Sequence, residues 1–197
     1  MTTRTHPSPL RLNLGCGRNI RADWVNVDWT ALPGVDVVAD LNACGSTPLP
    51  FDADSVDEFL LSHVIEHLPN ALGLMQELYR IAKPGAKAVV LTPYGSSDDA
   101  WEDPTHVRPY FTGSFSYFSQ PCYWRADYGY RGDWQVEKIT LRVPARHAAG
   151  ERAEFLQRLL TQRNLVLEMV AELVAVKPAR EPRRELLATP ALNIELI

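Results

Sequence analysis

The chain has 197 residues, a formal net charge of −4, 46% apolar and 22% charged residues; this suits one domain with a sizeable core, and the acidic balance argues against a nucleic-acid coat or a membrane-surface binder. Cys16, Cys44 and Cys122 are too few and too scattered for a disulfide framework and fit a reducing compartment. No stretch approaches the roughly 18–20 apolar residues of a membrane span, so the expected location is the cytoplasm.

Residues 1–9 lack an apolar signal core and read as a short disordered lead. Residues 10–14 (LRLNL) form a short apolar run that stops at Gly15-Cys16-Gly17, the pattern of a strand entering a tight turn. Residues 24–29 (WVNVDW) alternate and are rich in strand formers, and 35–40 (VDVVAD) repeat the pattern. Val56–Ser62 (VDEFLLS) suits a strand or the start of a helix. Residues 70–82 carry apolar side chains at helical spacing and end at Lys83-Pro84-Gly85. A buried-type strand follows at 86–91, then an irregular, aromatic-rich stretch over 94–133. Trp134–Val143 alternates as a strand, 151–163 is helical, and 165–176 reads as a long β-branched strand before a Pro- and Arg-containing tail. Strands alternating with helices imply an α/β fold with a mainly parallel sheet covered on both faces, the two late strands adding an antiparallel C-terminal edge. One domain is expected.

Open parallel sheets bind ligands beyond the carboxyl ends of their strands, near the switch in strand order. The first strand ends at Asn13-Leu14-Gly15-Cys16-Gly17, where glycines permit a sharp turn and close approach of a ligand, and a following helix start would offer amides to an anion. A Gly-x-Gly turn alone is equally a plain structural turn, and the third glycine of a dinucleotide fingerprint is replaced by Ile20. Asp28 ends the second strand and can accept hydrogen bonds from vicinal ribose hydroxyls; Asp40 ends the third and can reach an adenine amino group. A lone acid there is usually a turn or cap, but three successive strand ends carry Gly-x-Gly, Asp and Asp.

With the stretches LNLGCGRNIRADWVNVDW, VVADLNACGSTPLPFDADSVDEFLLSHVIEHLPN and IAKPGAKAVVLTPY, the chain resembles the nucleotide half of class I S-adenosylmethionine-dependent methyltransferases over about residues 10–93, and more weakly at DPTHVRPYFT (103–112). The resemblance implies a Rossmann-like sheet and S-adenosylmethionine as cofactor, with S-adenosylhomocysteine as product. Asn13, Gly15, Cys16 and Gly17 would line its methionine end, Asp28 would hold the ribose, Asp40 and Leu41 would flank the adenine, and Ser62 and His63 would sit under the sulfonium. Asn13 stands where the family often has an acid. The short loop before the second strand implies an abbreviated first helix. Residues 94–133 become a substrate-side lid or insert, and 178–197 a tail.

Methyl transfer needs an aligned nucleophile and a proton acceptor. Histidine is a common proton acceptor in enzymes, and His106 lies in the loop after the fifth strand, with Asp103 placed to orient it and Arg108 to hold an acidic group. Asp103-Pro104-Thr105-His106 is equally a good capped turn. Tyr94 and Trp101 are candidate pocket walls. The aromatics over 110–134 suit a lid, an interface or the packing of a β-appendage, and the arginines at 142, 146, 180, 183 and 184 are read as solvated surface. His63, Glu66 and His67 also spell the H-x-x-E-H string of a zinc helix. Pro69 would end that helix on its own ligand, and no third ligand is marked by context, so no metal is expected and His67 is taken as a hydrogen-bonded supporting residue. The expected activity is methyl transfer to an oxygen or nitrogen of a small molecule, such as a natural-product intermediate or a sugar. RNA or protein methylation and non-methylating cofactor chemistry are the alternatives. A homodimer is compatible with these features.

Overall fold

The computed structural model describes residues 8–148 and 150–197; positions 1–7 of the expected disordered lead lie outside them. Eight strands form one sheet: β1 (Arg11–Leu14), β2 (Val25–Asp28), β3 (Val37–Val38), β4 (Val56–Ser62), β5 (Ala82–Pro93), β6 (Trp134–Val143), β7 (Glu168–Ala175) and β8 (Ala191–Leu196). Their order is β3-β2-β1-β4-β5-β7-β6-β8. The first five pair in parallel. The chain steps outward from β1 to β2 and β3, then returns to lay β4 on the other side of β1. That reversal opens a crevice at the carboxyl ends of β1 and β4. Leu12, Leu14, Val27 and Leu61 are fully buried, as expected for central parallel strands covered on both faces.

The antiparallel component is present but does not form the edge. β7 runs antiparallel to both β5 and β6 and lies between them. The edge is β8, parallel to β6, built from the tail whose order the sequence left open. The tail is anchored through Asp133, which is fully buried and accepts from Nε and Nη2 of Arg180, each at 2.8 Å, and from the Arg180 amide at 2.9 Å. Arg180 is therefore the partner of a buried acid, not solvated surface. Arg142 likewise bridges Glu168 and Glu195 at 3.1 and 2.9 Å, tying β7 to β8.

Helix α1 (Ala71–Ile81) starts where the Asn70 side chain accepts from the Gly73 amide at 3.0 Å, an N-cap. Its Leu74, Met75, Leu78 and Ile81 are fully buried, each burial stabilising by roughly 1.5–3 kcal/mol. The helix runs directly into β5. Lys83-Pro84-Gly85 is thus not a stop before the strand but lies inside it, where the register slips opposite Val56/Glu58. Pro84 brings no donor to the ladder and Gly85 takes φ +80°, as a bulge permits.

The abbreviated first helix is absent: no helix is found between β1 and β2. Side chains satisfy that loop's backbone instead. Asn13 Nδ2 donates to the Asn19 carbonyl (2.9 Å), the Arg21 amide donates to Asn26 Oδ1 (2.9 Å), and Asn26 Nδ2 donates to the Arg21 and Trp24 carbonyls (both 3.1 Å).

In the aromatic stretch, Tyr110, Phe115, Phe118, Tyr123, Tyr130 and Trp134 are buried, whereas Phe111, Tyr117, Trp124 and Tyr128 are exposed. Trp134 packs edge-on against Phe59 and donates from Nε1 to the Met75 carbonyl at 2.9 Å. A single helical turn, α2 (Asp99–Glu102), follows β5, and α3 (Arg152–Thr161) links β6 to β7.

Candidate active site

The crevice at the strand ends is a cleft of about 560 Å³ lined by Gly15, Asp28, Trp29, Asp40, Leu41, His63, His67 and Thr105, among others. Gly15 lines it, at a position suited to glycine alone: its φ is +60° and an added Cβ would lie 2.6 Å from Val64 Cγ2. Gly17 has φ +52° with open space around it. Its amide donates to Asp28 Oδ2 at 2.7 Å, and the Thr30 amide donates to Asp28 Oδ1 at 3.0 Å. Each carboxylate oxygen keeps a lone pair, so Asp28 is held rigidly and can still accept from a ligand. Asp40 caps the turn Leu41–Ala43 by accepting from the Asn42 amide at 2.9 Å.

Of the expected cofactor residues, Gly15, Asp28, Asp40, Leu41 and His63 come together on this cleft. Asn13, Cys16, Gly17 and Ser62 do not line it. Asn13 braces the turn from behind, bonding Asn19 and Asn26. Cys16 is buried, and burial, with Asp28 nearby, pushes its thiol pKa up. Ser62 is the last residue of β4, paired with Leu91. Trp29 was missed by sequence reasoning. It stands 78% exposed at the cleft wall, and its signal was its place directly after the acid of β2.

His63 stands at the exit of β4 with φ +55°, strained for a non-glycine residue and typical of functional positions. Its Nδ1 lies 3.4 Å from Glu66 Oε1 and its Nε2 lies 3.1 Å from Glu168 Oε1. Glu66 chiefly, and Glu168 as well, hold its pKa above the ordinary value against the opposing effect of burial. His63 also lines a neighbouring hollow of about 340 Å³ with Pro93, Asp99, Glu102, Asp103, His106 and Glu168.

His106 therefore faces this hollow and not the main cleft. Asp103 does not orient it by a hydrogen bond: the carboxylate is 3.8 Å from His106 Nε2 and instead accepts from the Thr105 amide (2.8 Å) and hydroxyl (2.6 Å). Tyr94 is buried, bonded through its amide to the Leu167 carbonyl and packed on Phe111, a core brace and not a wall of either space. Trp101 lies exposed and donates to the Gly95 carbonyl at 3.0 Å. Arg108 lines a third hollow, among Tyr110, Tyr117, Tyr123 and Tyr128.

A family model described as a methyltransferase domain matches residues 11–170. The chain belongs to the class I S-adenosylmethionine-dependent methyltransferases. Solved structures share this methyltransferase's fold at low identity. One is an S-adenosylmethionine-dependent methyltransferase from Archaeoglobus fulgidus, 16% identical with TM-score 0.58, covering 85% of this chain and 86% of that one. Another, from Thermotoga maritima, is 15% identical with TM-score 0.53, covering 88% and 84%. The [4+2]-cyclase SpnF is 12% identical with TM-score 0.52, covering 85% and 75%. No curated protein matches the sequence. No helix among the described residues is long and apolar enough to cross a membrane.

Proposed function

We propose that this methyltransferase moves the methyl group of S-adenosylmethionine to an oxygen or nitrogen of a small molecule, leaving S-adenosylhomocysteine. The observation that carries this reading is the gathering of Gly15, Asp28, Asp40, Leu41 and His63 from four strand ends onto one cleft. Asp28 would accept from the ribose hydroxyls, Asp40 and Leu41 would border the adenine, and the exposed ring of Trp29 would cover one face of the nucleoside. The acceptor would occupy the adjoining hollow, whose volume of about 340 Å³ suits a compact molecule.

Bound in that arrangement, the cofactor would supply an electrophilic methyl group, and its transfer to the acceptor's lone pair would leave the carbon–sulfur bond's electrons on sulfur as a neutral thioether. The proton of a hydroxyl acceptor, or of the ammonium that an amine becomes on attack, would pass to the pair formed by His63 and Glu168, where cleft and hollow meet. His106 walls the hollow opposite. The chain's charge of −4 disfavours an RNA acceptor.

Because the fold is shared with a cyclase, detection of product, not of cofactor binding, is the test. The protein is incubated with methyl-labelled S-adenosylmethionine and a panel of phenols, sugars and amines. Label in a small-molecule product supports the reading; cofactor binding with no labelled product from any class rejects it.

A further inference from the structure

Residues 63–67 do not form the helix that their H-x-x-E-H spelling suggests. Ile65–His67 is one turn of 3-10 helix, and His63 precedes it at its own positive φ. Folding nevertheless builds a ligating group from the string. Glu66 and His67 meet His106, and one ligating atom of each lies within 4.8 Å of the other two. We propose that Glu66, His67 and His106 bind a divalent transition-metal ion.

Buried groups without hydrogen bonds support this. The Glu66 side chain is 3% exposed, and neither of its oxygens receives a hydrogen bond. Its one charged neighbour on this side is the His63 ring, an ion-pair contact at 3.4 Å. The His106 side chain is 9% exposed, and its Nδ1 is buried without a partner. Burying a carboxylate costs several kcal/mol that a single long contact offsets only in part, and a cation between Glu66 and an imidazole would offset the rest.

The third member is set for ligation by its neighbours. The Thr105 hydroxyl has one proton and donates it to Asp103 Oδ1 at 2.6 Å. Its 2.9 Å contact with His67 Nδ1 must then receive a proton from that nitrogen, which leaves the lone pair of His67 on Nε2. A carboxylate–hydroxyl–imidazole chain of this kind fixes the tautomer and orientation of a ligand histidine. The backbone holds the two segments together: the Val107 amide donates to the Glu66 carbonyl at 2.8 Å, and the Tyr110 hydroxyl donates to the Ile65 carbonyl at 3.4 Å.

Two imidazoles and one carboxylate suit Zn²⁺ with a position left open, and also Mn²⁺, Fe²⁺ or Co²⁺. Bonds of about 2.0–2.2 Å place tetrahedral donors roughly 3.4 Å apart, so from separations within 4.8 Å the group closes by at most about 1.4 Å on binding, within reach of side-chain rotation. His67 lines the cofactor cleft and His106 the adjoining hollow, so an open position faces the substrate space. If the proposed methyl transfer holds, on which this last step rests, the ion takes an acceptor oxygen as ligand and lowers its pKa.

The full chain, stripped with a chelator, is dialysed against Zn²⁺ or Co²⁺ and analysed for metal, with the visible absorption of Co²⁺ as a report of the ligand set. The expected result is about one ion per chain in wild type and affinity lower by at least about tenfold in Glu66→Gln and His106→Asn. Uptake by His147→Ala should match wild type. Thr105→Val, at a surface position, should weaken binding by about 10–100-fold through loss of the support on His67, and it guards against misfolding of the Glu66 variant. Wild type that takes up no stoichiometric metal, or Glu66→Gln and His106→Asn that bind like wild type, overturns the proposal. Calorimetry with S-adenosylhomocysteine is run separately. Cofactor binding without metal defeats the metal site alone; metal without any methylated product defeats the methyl-transfer reading alone.

Discussion

Replacing Asp28 with alanine tests the cofactor cleft most directly. Its two oxygens each hold one backbone amide, from Gly17 and Thr30, and each has one lone pair left for a ribose hydroxyl. Hydrogen bonds to a charged acceptor are worth about 1.5–3 kcal/mol each, but water partly replaces them in a cleft open to solvent. A net loss of about 1.5–3 kcal/mol is therefore expected, roughly 10- to 150-fold in affinity at about 1.4 kcal/mol per decade. Part of the loss comes from the freed Gly17 turn. Asp28→Asn separates the contributions, since it keeps one acceptor oxygen and turns an NH₂ group toward the other amide. The assay is calorimetric titration with S-adenosylhomocysteine, with the thermal melt of each variant as a control on folding. A folded Asp28→Ala protein that binds within about threefold of wild type would refute the assignment of this carboxylate to the ribose.

Gly15→Ala should destabilise by about 3 kcal/mol, because the φ of +60° and the 2.6 Å approach to Val64 both act, whereas Gly17→Ala meets only the left-handed backbone cost of about 1–2 kcal/mol. Thermal melts would show the larger drop for Gly15, and equal drops would count against the close approach. Arg180→Ala strands the buried Asp133 carboxylate and should cost about 3–5 kcal/mol, read by chemical denaturation; a loss below about 1 kcal/mol would mean that the tail is not held through this pair. Burial raises the pKa of Asp57, but the Lys83 ammonium at 2.7 Å and the Leu10 amide at 2.8 Å outweigh it and leave the group below its ordinary 3.8. Its folded value being the lower one, its stabilising effect is complete above pH 3.8 and disappears as the pH falls through the folded value. Asp57→Asn should flatten that acid limb in denaturation curves taken across it, and an unchanged limb would assign the acid sensitivity elsewhere.

Features legible in the sequence are those set by near neighbours. The spacing of Leu74, Leu78 and Ile81 specifies α1 without reference to the rest of the chain. Gly15, Asp28 and Asp40 could be placed at a site because strands of a parallel sheet share one carboxyl edge, so residues at their ends converge whatever the loops do. The turn Gly15–Gly17 announces positive φ, although not that Asn13 and Asn26 would take the place of a helix beside it.

What the tertiary structure alone decided depends on contacts between distant segments. Nothing near β7 states that it enters between β5 and β6, since its alternation is the same whichever strand it pairs with. Arg180 resembles any tail arginine until Asp133, just ahead of β6, closes on it. Asp103 could have bonded His106 but finds the Thr105 hydroxyl nearer. As a metal motif the string HVIEH could be weighed only as a helix with ligands at its own spacing. Folding made it a 3-10 turn and supplied the third side chain from a loop some forty residues on, because Val107 hydrogen-bonds Glu66 through the backbone. A side-chain cluster of that kind depends on three-dimensional proximity, which no local periodicity encodes.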